Sequence, residues 1–196
     1  NSQPVEYREY ENLSNKEKEL ITPPKIKKET TIKVENDLYI AIISSMCGGS
    51  IKSFEIKEHL KHDSGFVNLV TPDNTKNLLV GFKDFNGNQI QLDEGWVLQS
   101  NADNYYIDAA KSITYTNTIN NRVITKVLTF YPDRFLIDID IDITAFANSA
   151  LANNYTLTWF GGIPPTEKDS VAESTYFYSY LYQGGELLDV KVGLGE

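Results

Sequence analysis

Two histidines are the residues of this chain best suited to acid–base or metal chemistry. His59 and His62 lie three residues apart, and Asp63 follows the second. An imidazole pair can bind a metal or transfer a proton, but a metal site needs a further ligand and a sugar epimerase needs a carboxylate in the same pocket. The surrounding pattern is that of a strand ending in a loop, and it identifies neither a further metal ligand nor such a carboxylate. We therefore predict no catalytic residue, no metal and no cofactor.

A row of three aspartates is the next candidate, since carboxylate oxygens are preferred ligands of calcium. Asp138, Asp140 and Asp142 occupy alternate positions. Alternate residues of a strand are about 6.5–7 Å apart, whereas calcium needs its oxygens within about 2.6 Å of the ion. Without ligands from a neighbouring loop the three carboxylates cannot converge. We predict instead a solvated strand face whose charges discourage aggregation.

The single cysteine of the chain excludes an intrachain disulfide. Cys47 stands between Met46 and Gly48, a setting more typical of a small buried hydrophobic residue than of a nucleophile. The sequence has no Ser-His-Asp pattern, no glycine-rich phosphate loop and no zinc-ligand spacing. The glycine pairs at 48–49 and 184–185 are therefore predicted to form turns, bulges or close backbone contacts.

Aromatic residues late in the chain form the best candidate for a binding surface. Tyr176, Tyr178 and Tyr180 alternate along a predicted strand at residues 175–182, and Trp159 lies upstream of them. Such a row can stack on a sugar or a peptide, or it can pack against a half-buried sheet. Three functions stay open at this point: an interaction surface for proteins, the cleft of a carbohydrate-binding or epimerase-like sandwich, and a surface or adhesion module with no ligand.

Length, composition and charge limit the class of protein. The 196 residues are 41% hydrophobic and 12% aromatic, which is typical of one globular domain. The net charge of −9 disfavours nucleic acid and anionic lipid as partners, because both attract clustered Lys and Arg. No run approaches the roughly 18 apolar residues of a membrane helix. Because the first residue is Asn, we expect a fragment of a longer protein.

The elements that would position these side chains are strands, and the clearest pair lies at residues 122–144. Every second residue from 135 to 143 is apolar, and the aspartates fall on the opposite face, as in a half-buried strand. A turn centred on Pro132-Asp133 would place Phe130 opposite Phe135, with both apolar sets on the same side. The pattern predicts an antiparallel hairpin with one face in water.

Short strands separated by Gly, Asn and Pro turns recur along the chain, which is typical of an all-β sandwich. Polar residues 1–30 are predicted to be a linker and residues 31–196 the domain. We expect a tight turn at Asn36-Asp37, loops at 61–76 and 145–154, and no long helix. The other predicted strands are residues 31–35, 38–44, 51–56, 78–82, 89–92, 96–99, 105–108, 112–117, 155–160 and 186–192.

Three segments, in their order and spacing, resemble a known family. The first is the early hairpin followed by MCGGSIKSFEI, the second is TFYPDRFLIDIDIDI, and the third leads from a tryptophan to the tyrosine-rich segment. Together they are similar to the periplasmic domain of the bacterial membrane-protein insertase YidC, over approximately residues 30–190. The positions that match the family's motifs are Gly48, Gly49, Trp159, Gly162, Pro165, Thr166, Glu167, Gly184, Gly185 and Glu186.

The resemblance implies a large twisted antiparallel β-sandwich, called a supersandwich, that is similar to mutarotase-like domains. It implies a non-catalytic interaction or scaffold module on the periplasmic side of the bacterial inner membrane. Expected partners are accessory proteins of the Sec translocon and nascent membrane proteins, and residues 1–30 would be the tether from a transmembrane helix outside this chain. Because family members continue beyond the Gly-Gly-Glu strand, we expect a domain cut short at its C-terminus, with an uncovered edge that promotes self-association.

Overall fold

The chain folds into strands joined by short connections, with very little helix. The computed structural model describes residue 21 and residues 28–60, 65–71, 76–84, 86–146, 150–176, 178 and 180–189. Within these ranges lie fourteen strands, one α-helix and two 3₁₀ turns. The strands form four sheets in this part of the chain. The predicted all-β sandwich class is therefore confirmed.

The first sheet is built mainly from the early part of the chain. It consists of β1 (Thr31–Glu35), β2 (Tyr39–Ser44), β3 (Ser50–Leu60), β4 (Phe66–Asn68) and β8 (Asn104–Tyr106), in the spatial order β4-β3-β2-β1-β8. β1 and β8 run parallel, whereas the other neighbours are antiparallel. β4 lies inside residues 61–76, for which the pattern predicts only loop. It pairs with β3, and the Asn68 side chain accepts the Phe54 N–H at 3.0 Å.

Three further sheets complete the described fold. The second sheet contains β7 (Trp96–Leu98), β9 (Lys111–Ile119), β10 (Arg122–Phe130) and β11 (Ile137–Asp142), in the order β11-β10-β9-β7. The third contains β5 (Leu79–Asp84), β6 (Gln89–Gln91) and β12 (Ala150–Thr158), in the order β12-β5-β6. The fourth is the hairpin of β13 (Tyr180–Gln183) and β14 (Glu186–Asp189). All pairs within these three sheets are antiparallel.

The central hairpin of β10 and β11 is confirmed, but its register differs from the prediction. Phe130 lies opposite Ile137, not opposite Phe135. The connection is longer than a turn at 132–133, because Phe135 leaves the ladder and lies near the Tyr39 ring, with 6.3 Å between the ring centroids. A shift of two residues keeps every side chain on its predicted face. The aspartates of β11 are accordingly exposed and its isoleucines half-buried.

A buried asparagine joins this hairpin to the first sheet. The tight turn predicted at Asn36-Asp37 is present between β1 and β2, where the Asn36 Oδ1 accepts the N–H groups of Leu38 and Tyr39, both at 2.9 Å. The Asn36 Nδ2 donates to the Tyr131 carbonyl at 2.8 Å, in the connection between β10 and β11. One side chain therefore forms the β1–β2 turn and also fixes its position on the second sheet.

The three larger sheets share one hydrophobic core. Buried side chains of β1 and β2, of β5, and of β9 and β10 belong to a single cluster. Within it the Tyr39 and Phe54 rings stack with 4.5 Å between centroids, and the Phe82 ring lies 5.8 Å from that of Phe146. Ile21 belongs to the same cluster. Most of the linker predicted at residues 1–30 lies outside the described residues and stays a prediction.

Two sequence predictions for the later part of the chain are wrong. The pattern predicts a loop at residues 145–154, but β12 begins at Ala150 and pairs with β5. It also predicts a strand at residues 175–182, but β13 begins only at Tyr180. The small and polar residues of the first segment have low strand propensity, and pairing with β5 overrides that preference.

A short helix occupies the chain just before this late strand. α1 (Ser170–Ser174) begins where the Asp169 carboxylate accepts the Ala172 N–H at 3.0 Å, and it ends at Thr175. Aspartate at this position satisfies a backbone donor that a helix start otherwise leaves unpaired. The cap favours a helix immediately before the segment predicted as a strand, and the alternation of tyrosines does not reveal it. None of the described helices is long and apolar enough to span a membrane.

Candidate functional site

The four aromatic residues predicted as a binding face are all exposed. Trp159 follows β12, Tyr176 follows α1, and Tyr180 is the first residue of β13. Their exposed fractions are 44% for Trp159, 77% for Tyr176, 68% for Tyr178 and 58% for Tyr180. The alternative interpretation, in which these rings pack on a half-buried sheet, does not match these exposures. We call these four residues the aromatic face.

The structure brings two members of the aromatic face into contact. The Tyr178 and Tyr180 rings are stacked, with 6.4 Å between centroids and an angle of 24° between their planes. Among the described residues, no ring contact joins Trp159 or Tyr176 to this pair. Two stacked phenols with free edges can receive an apolar or planar group and still offer hydroxyl groups to it.

Other large apolar side chains in this part of the chain are exposed as well. They come from β12 and the segment that follows it, from α1, and from the hairpin of β13 and β14. Soluble monomers seldom leave so many large apolar side chains in water, and such surfaces usually bind another polypeptide. These further exposed residues are Tyr155, Leu157, Phe160, Ile163, Val171, Leu181, Tyr182, Leu187 and Leu188.

A carboxylate that the sequence pattern does not single out holds the Pro165-Thr166-Glu167 motif in place. Glu173 of α1 accepts the Thr166 N–H at 2.9 Å and the Glu167 N–H at 3.1 Å. These backbone donors lower the pKa of the Glu173 carboxyl, and the N–H of Glu167 has the largest effect. The motif is therefore a turn closed by the helix that follows it. Glu173 lies six to seven residues after the motif, and this spacing predicts the contact only if the helix that contains Glu173 is already known.

The motif glycines divide into two structural groups. Gly48 and Gly49 have φ values of 69° and 108°, and a Cβ there would lie 2.6 Å from the Trp96 ring and 2.7 Å from Leu128. The close backbone contact predicted at this pair is therefore observed. A Cβ at Gly162, Gly184 or Gly185 would meet nothing within 4 Å. The last two glycines form the turn of the β13–β14 hairpin, and Glu186 begins β14 opposite Gln183.

A buried lysine lies at the centre of the core, and the sequence analysis missed it. Lys126 of β10 is fully buried. Its Nζ donates to the Cys47 carbonyl at 2.7 Å and to the Leu78 carbonyl at 2.5 Å, and it lies 5.5 Å from the centroid of the Trp96 ring. Burial lowers the pKa of the Lys126 ammonium to about 8. The available signal was its inward register between Ile124 and Leu128.

Cys47 is buried, as predicted, and is not activated as a nucleophile. It forms part of the 3₁₀ turn Met46–Gly48, and its side chain is fully buried. Burial raises the pKa of the Cys47 thiol to about 11, although nearby Lys126 acts in the opposite direction. A thiol with so high a pKa contains almost no thiolate at neutral pH.

The candidate metal and acid–base residues do not form a cluster in the described part of the chain. The carboxylates of Asp138 and Asp142 accept hydrogen bonds from the hydroxyls of Tyr131 and Thr144, and both aspartates are exposed. His59 is exposed near the end of β3, and His62 lies outside the described residues. Within the described ranges, no group of three or more His, Cys, Asp or Glu side chains could hold a metal ion.

Comparison with known proteins gives one consistent family. The sequence model of the YidC periplasmic domain matches residues 31–191. The chain is 31% identical over 169 residues to a protein of Chlorobaculum tepidum, and this match covers 83% of the chain and 28% of the relative. It is 30% identical over 196 residues to a protein of Prosthecochloris aestuarii, covering 94% of the chain and 30% of the relative. Both relatives are called membrane protein insertase YidC.

These matches cover only part of the relatives' length. A third relative, the membrane protein insertase YidC of Chlorobaculum parvum, is 31% identical over 173 residues, or 82% of the chain and 28% of the relative. Comparison with solved structures found no match. Nothing in the comparisons favours the carbohydrate-binding or epimerase-like alternative. With most of its length matched by one family model, and with homologues that share a single name, the chain belongs to the family of the YidC periplasmic domain.

Proposed function

We propose that this chain is a non-catalytic interaction module of a membrane-protein insertase, on the periplasmic side of the bacterial inner membrane. Its family membership over residues 31–191 supports the location and the parent protein. In this proposal the partners are nascent membrane proteins and accessory proteins of the Sec translocon. The module acts by binding, and the insertion step takes place elsewhere in the parent protein.

The exposed aromatic face is the observation that carries this proposal. Its members are between 44% and 77% exposed, and further apolar residues in the same part of the chain are exposed as well. Aromatic residues are enriched at the centre of protein interfaces, because they bury a large apolar area with few rotatable bonds. A translocating membrane protein and a protein partner both offer apolar surface to such a face. The net charge of −9 adds steering toward partners with basic segments.

Co-purification from cells tests the proposal on the full-length parent protein. We expect Tyr178→Ser and Tyr180→Ser, combined with Trp159→Ser, to reduce the amount of nascent membrane protein and translocon accessory protein recovered with it. Val123→Ser is the matched control, because Val123 is 49% exposed on the outer face of the second sheet. Equal recovery of these partners with both variants would refute the assignment of the aromatic face.

We also propose that the isolated chain self-associates through this region. The hairpin of β13 and β14 is exposed along both strands, and Leu187 and Leu188 are 65% and 41% exposed. Unpaired strand edges and exposed apolar side chains recruit other chains. Sedimentation velocity should show a concentration-dependent increase in mass that Leu187→Ser with Leu188→Ser abolishes and Val123→Ser preserves. A strict monomer at high concentration would contradict this proposal and leave the interaction module unaffected.

A further inference from the structure

The Lys126 ammonium connects parts of all three larger sheets. Lys126 itself belongs to β10 of the second sheet. The Cys47 carbonyl that it contacts lies in the 3₁₀ turn between β2 and β3 of the first sheet, and the Leu78 carbonyl immediately precedes β5 of the third sheet. The Trp96 ring beneath the ammonium belongs to β7. One ammonium therefore contacts backbone groups beside the first and third sheets and a ring of the second.

Both carbonyl groups belong to residues with an unusual backbone conformation. Among the described residues, only Cys47 (φ 54°), Leu78 (φ 55°), Asn120 and Asn121 are non-glycine residues with positive φ. The two asparagines form the short turn between β9 and β10, where this conformation is common. A cysteine or a leucine in the left-handed region is strained by contact of its Cβ with the backbone. The two strained residues of the core thus bind the same ammonium.

We propose that the Lys126 ammonium is a clamp that holds the left-handed turns at Cys47 and Leu78 and thereby fixes the packing of the three sheets. A hydrogen bond from a charged donor is shorter and stronger than one between neutral groups. In this buried position the Trp96 ring adds a cation–π contact to the same charge. The charged amine makes all three contacts; a neutral amine would keep donor protons for the two carbonyl groups and lose only the contact with the ring.

The glycines of the family motif fit this clamp. Gly48 and Gly49 follow Cys47 directly, and they bring the 3₁₀ turn into contact with Trp96, Leu128 and Tyr115. The turn therefore reaches the inner face of the second sheet close to Lys126. The glycines permit the approach, and the ammonium holds the turn once it is there. Replacing the lysine should loosen this turn first and the distant strands last.

Amide hydrogen exchange of Lys126→Met tests the clamp by its location. The N–H groups of Gly48 and Gly49 donate to the carbonyl groups of Ser45 and Ser44. We expect hydrogen exchange at these two amides to accelerate at least about tenfold more than exchange at the amides of β2. Ile124→Ala is the matched control, because Ile124 is equally buried on the same face of the same strand. It should accelerate exchange evenly. Even acceleration in Lys126→Met, or none at the turn, would overturn the proposal.

A measurement on the unmodified chain decides the case if Lys126→Met does not fold. Nitrogen-15 spectra of lysine ammonium groups detect only those whose protons exchange slowly with water. We expect one protected ammonium at pH 6 whose side-chain protons show contacts with the Trp96 ring, because the Lys126 Nζ lies 5.5 Å from the centroid of that ring. A rapidly exchanging ammonium beside Trp96, or a neutral amine there at pH 6, would overturn the clamp.

Discussion

Lys126 shows how one residue can contradict its pattern and still serve the fold. The alternation of β10 places Ile124, Leu128 and Phe130 in the core, and Lys126 has the same register. An unpaired ammonium in the core would cost several kcal/mol, so it must be hydrogen-bonded or lose its charge. The alternation of β10 contains the signal for this inward face. The two carbonyl acceptors could not be predicted, because they lie 48 and 79 residues away in the chain.

The lowered pKa of Lys126 predicts how stability depends on pH. Burial lowers this pKa from 10.5 to about 8, so between these values the unfolded chain binds more protons than the folded one. The free energy of unfolding of the wild type, relative to Lys126→Met, should therefore rise by about 1–2 kcal/mol from pH 7.5 to 9.5. Denaturant titrations of both proteins across this range measure the difference.

The comparison with Lys126→Met is needed because neighbouring groups titrate in the opposite sense. Burial raises the pKa of Cys47, in the turn packed on Lys126, to about 11. It also raises the pKa of Tyr115, which lies opposite Lys126 on β9. Because the folded protein keeps these groups protonated, the free energy of unfolding falls as the pH rises above their ordinary pKa values of 9.0 for Cys47 and 10.0 for Tyr115. A wild-type advantage that stays constant or falls between pH 7.5 and 9.5 would contradict the prediction.

Gly48 should be intolerant of a side chain. A Cβ there would lie 2.6–2.8 Å from three atoms of the buried Trp96 ring, whereas a Cβ at Gly87 would meet nothing within 4 Å. Both glycines have positive φ, at 69° and 83°. Gly48→Ala should therefore lower the free energy of unfolding by about 1–3 kcal/mol more than Gly87→Ala, the cost of overpacking a core. Equal urea midpoints for the two variants would show that the ring moves aside freely.

At the scale of elements, Asn36 is the connection between the first and second sheets. Asn36→Ala removes two acceptor contacts and one donor contact in a buried site. We expect it to lower the free energy of unfolding by about 2 kcal/mol, because the partner groups lose their hydrogen bonds without reaching water. Thermal or urea unfolding measures this cost.

Asn36→Asp separates the two halves of that interaction. The carboxylate can still accept from Leu38 and Tyr39, but it cannot donate to the Tyr131 carbonyl. It should therefore loosen the contact with the β10–β11 connection and preserve the β1–β2 turn, which exchange at the Leu38 and Tyr39 amides can report. Wild-type stability of Asn36→Ala would remove the asparagine from this role.

The elements of this fold were predictable where pattern and turn chemistry agreed. The alternation of β11 gave its face correctly, but a period of two is insensitive to a shift of two residues, so the pairing of Phe130 was wrong. The tyrosine row was wrongly predicted as a strand, because the Asp169 cap and the Glu173 contacts act locally and resemble ordinary loop residues in sequence. The exposure of the tyrosines was not predictable either, because burial depends on which other elements pack against them.

At the scale of the whole molecule, the two ends of the domain differ in character. The described residues before β12 contain the common core of three sheets and the exposed aspartates of β11. Those after β12 expose aromatic and aliphatic side chains over α1 and the last hairpin. The first part provides rigidity and resists edge-to-edge pairing through its charges. Partner binding by the second part is our proposal.

Site-specific photo-cross-linking tests the binding role of the aromatic face most directly. A photoreactive amino acid replaces Tyr178 in the full-length parent protein, and replaces Val123 on the outer face of the second sheet in a parallel sample. We expect adducts with nascent membrane proteins or translocon accessory proteins from position 178, and few from position 123. Equal adducts from both positions, or adducts from position 123 alone, would contradict it.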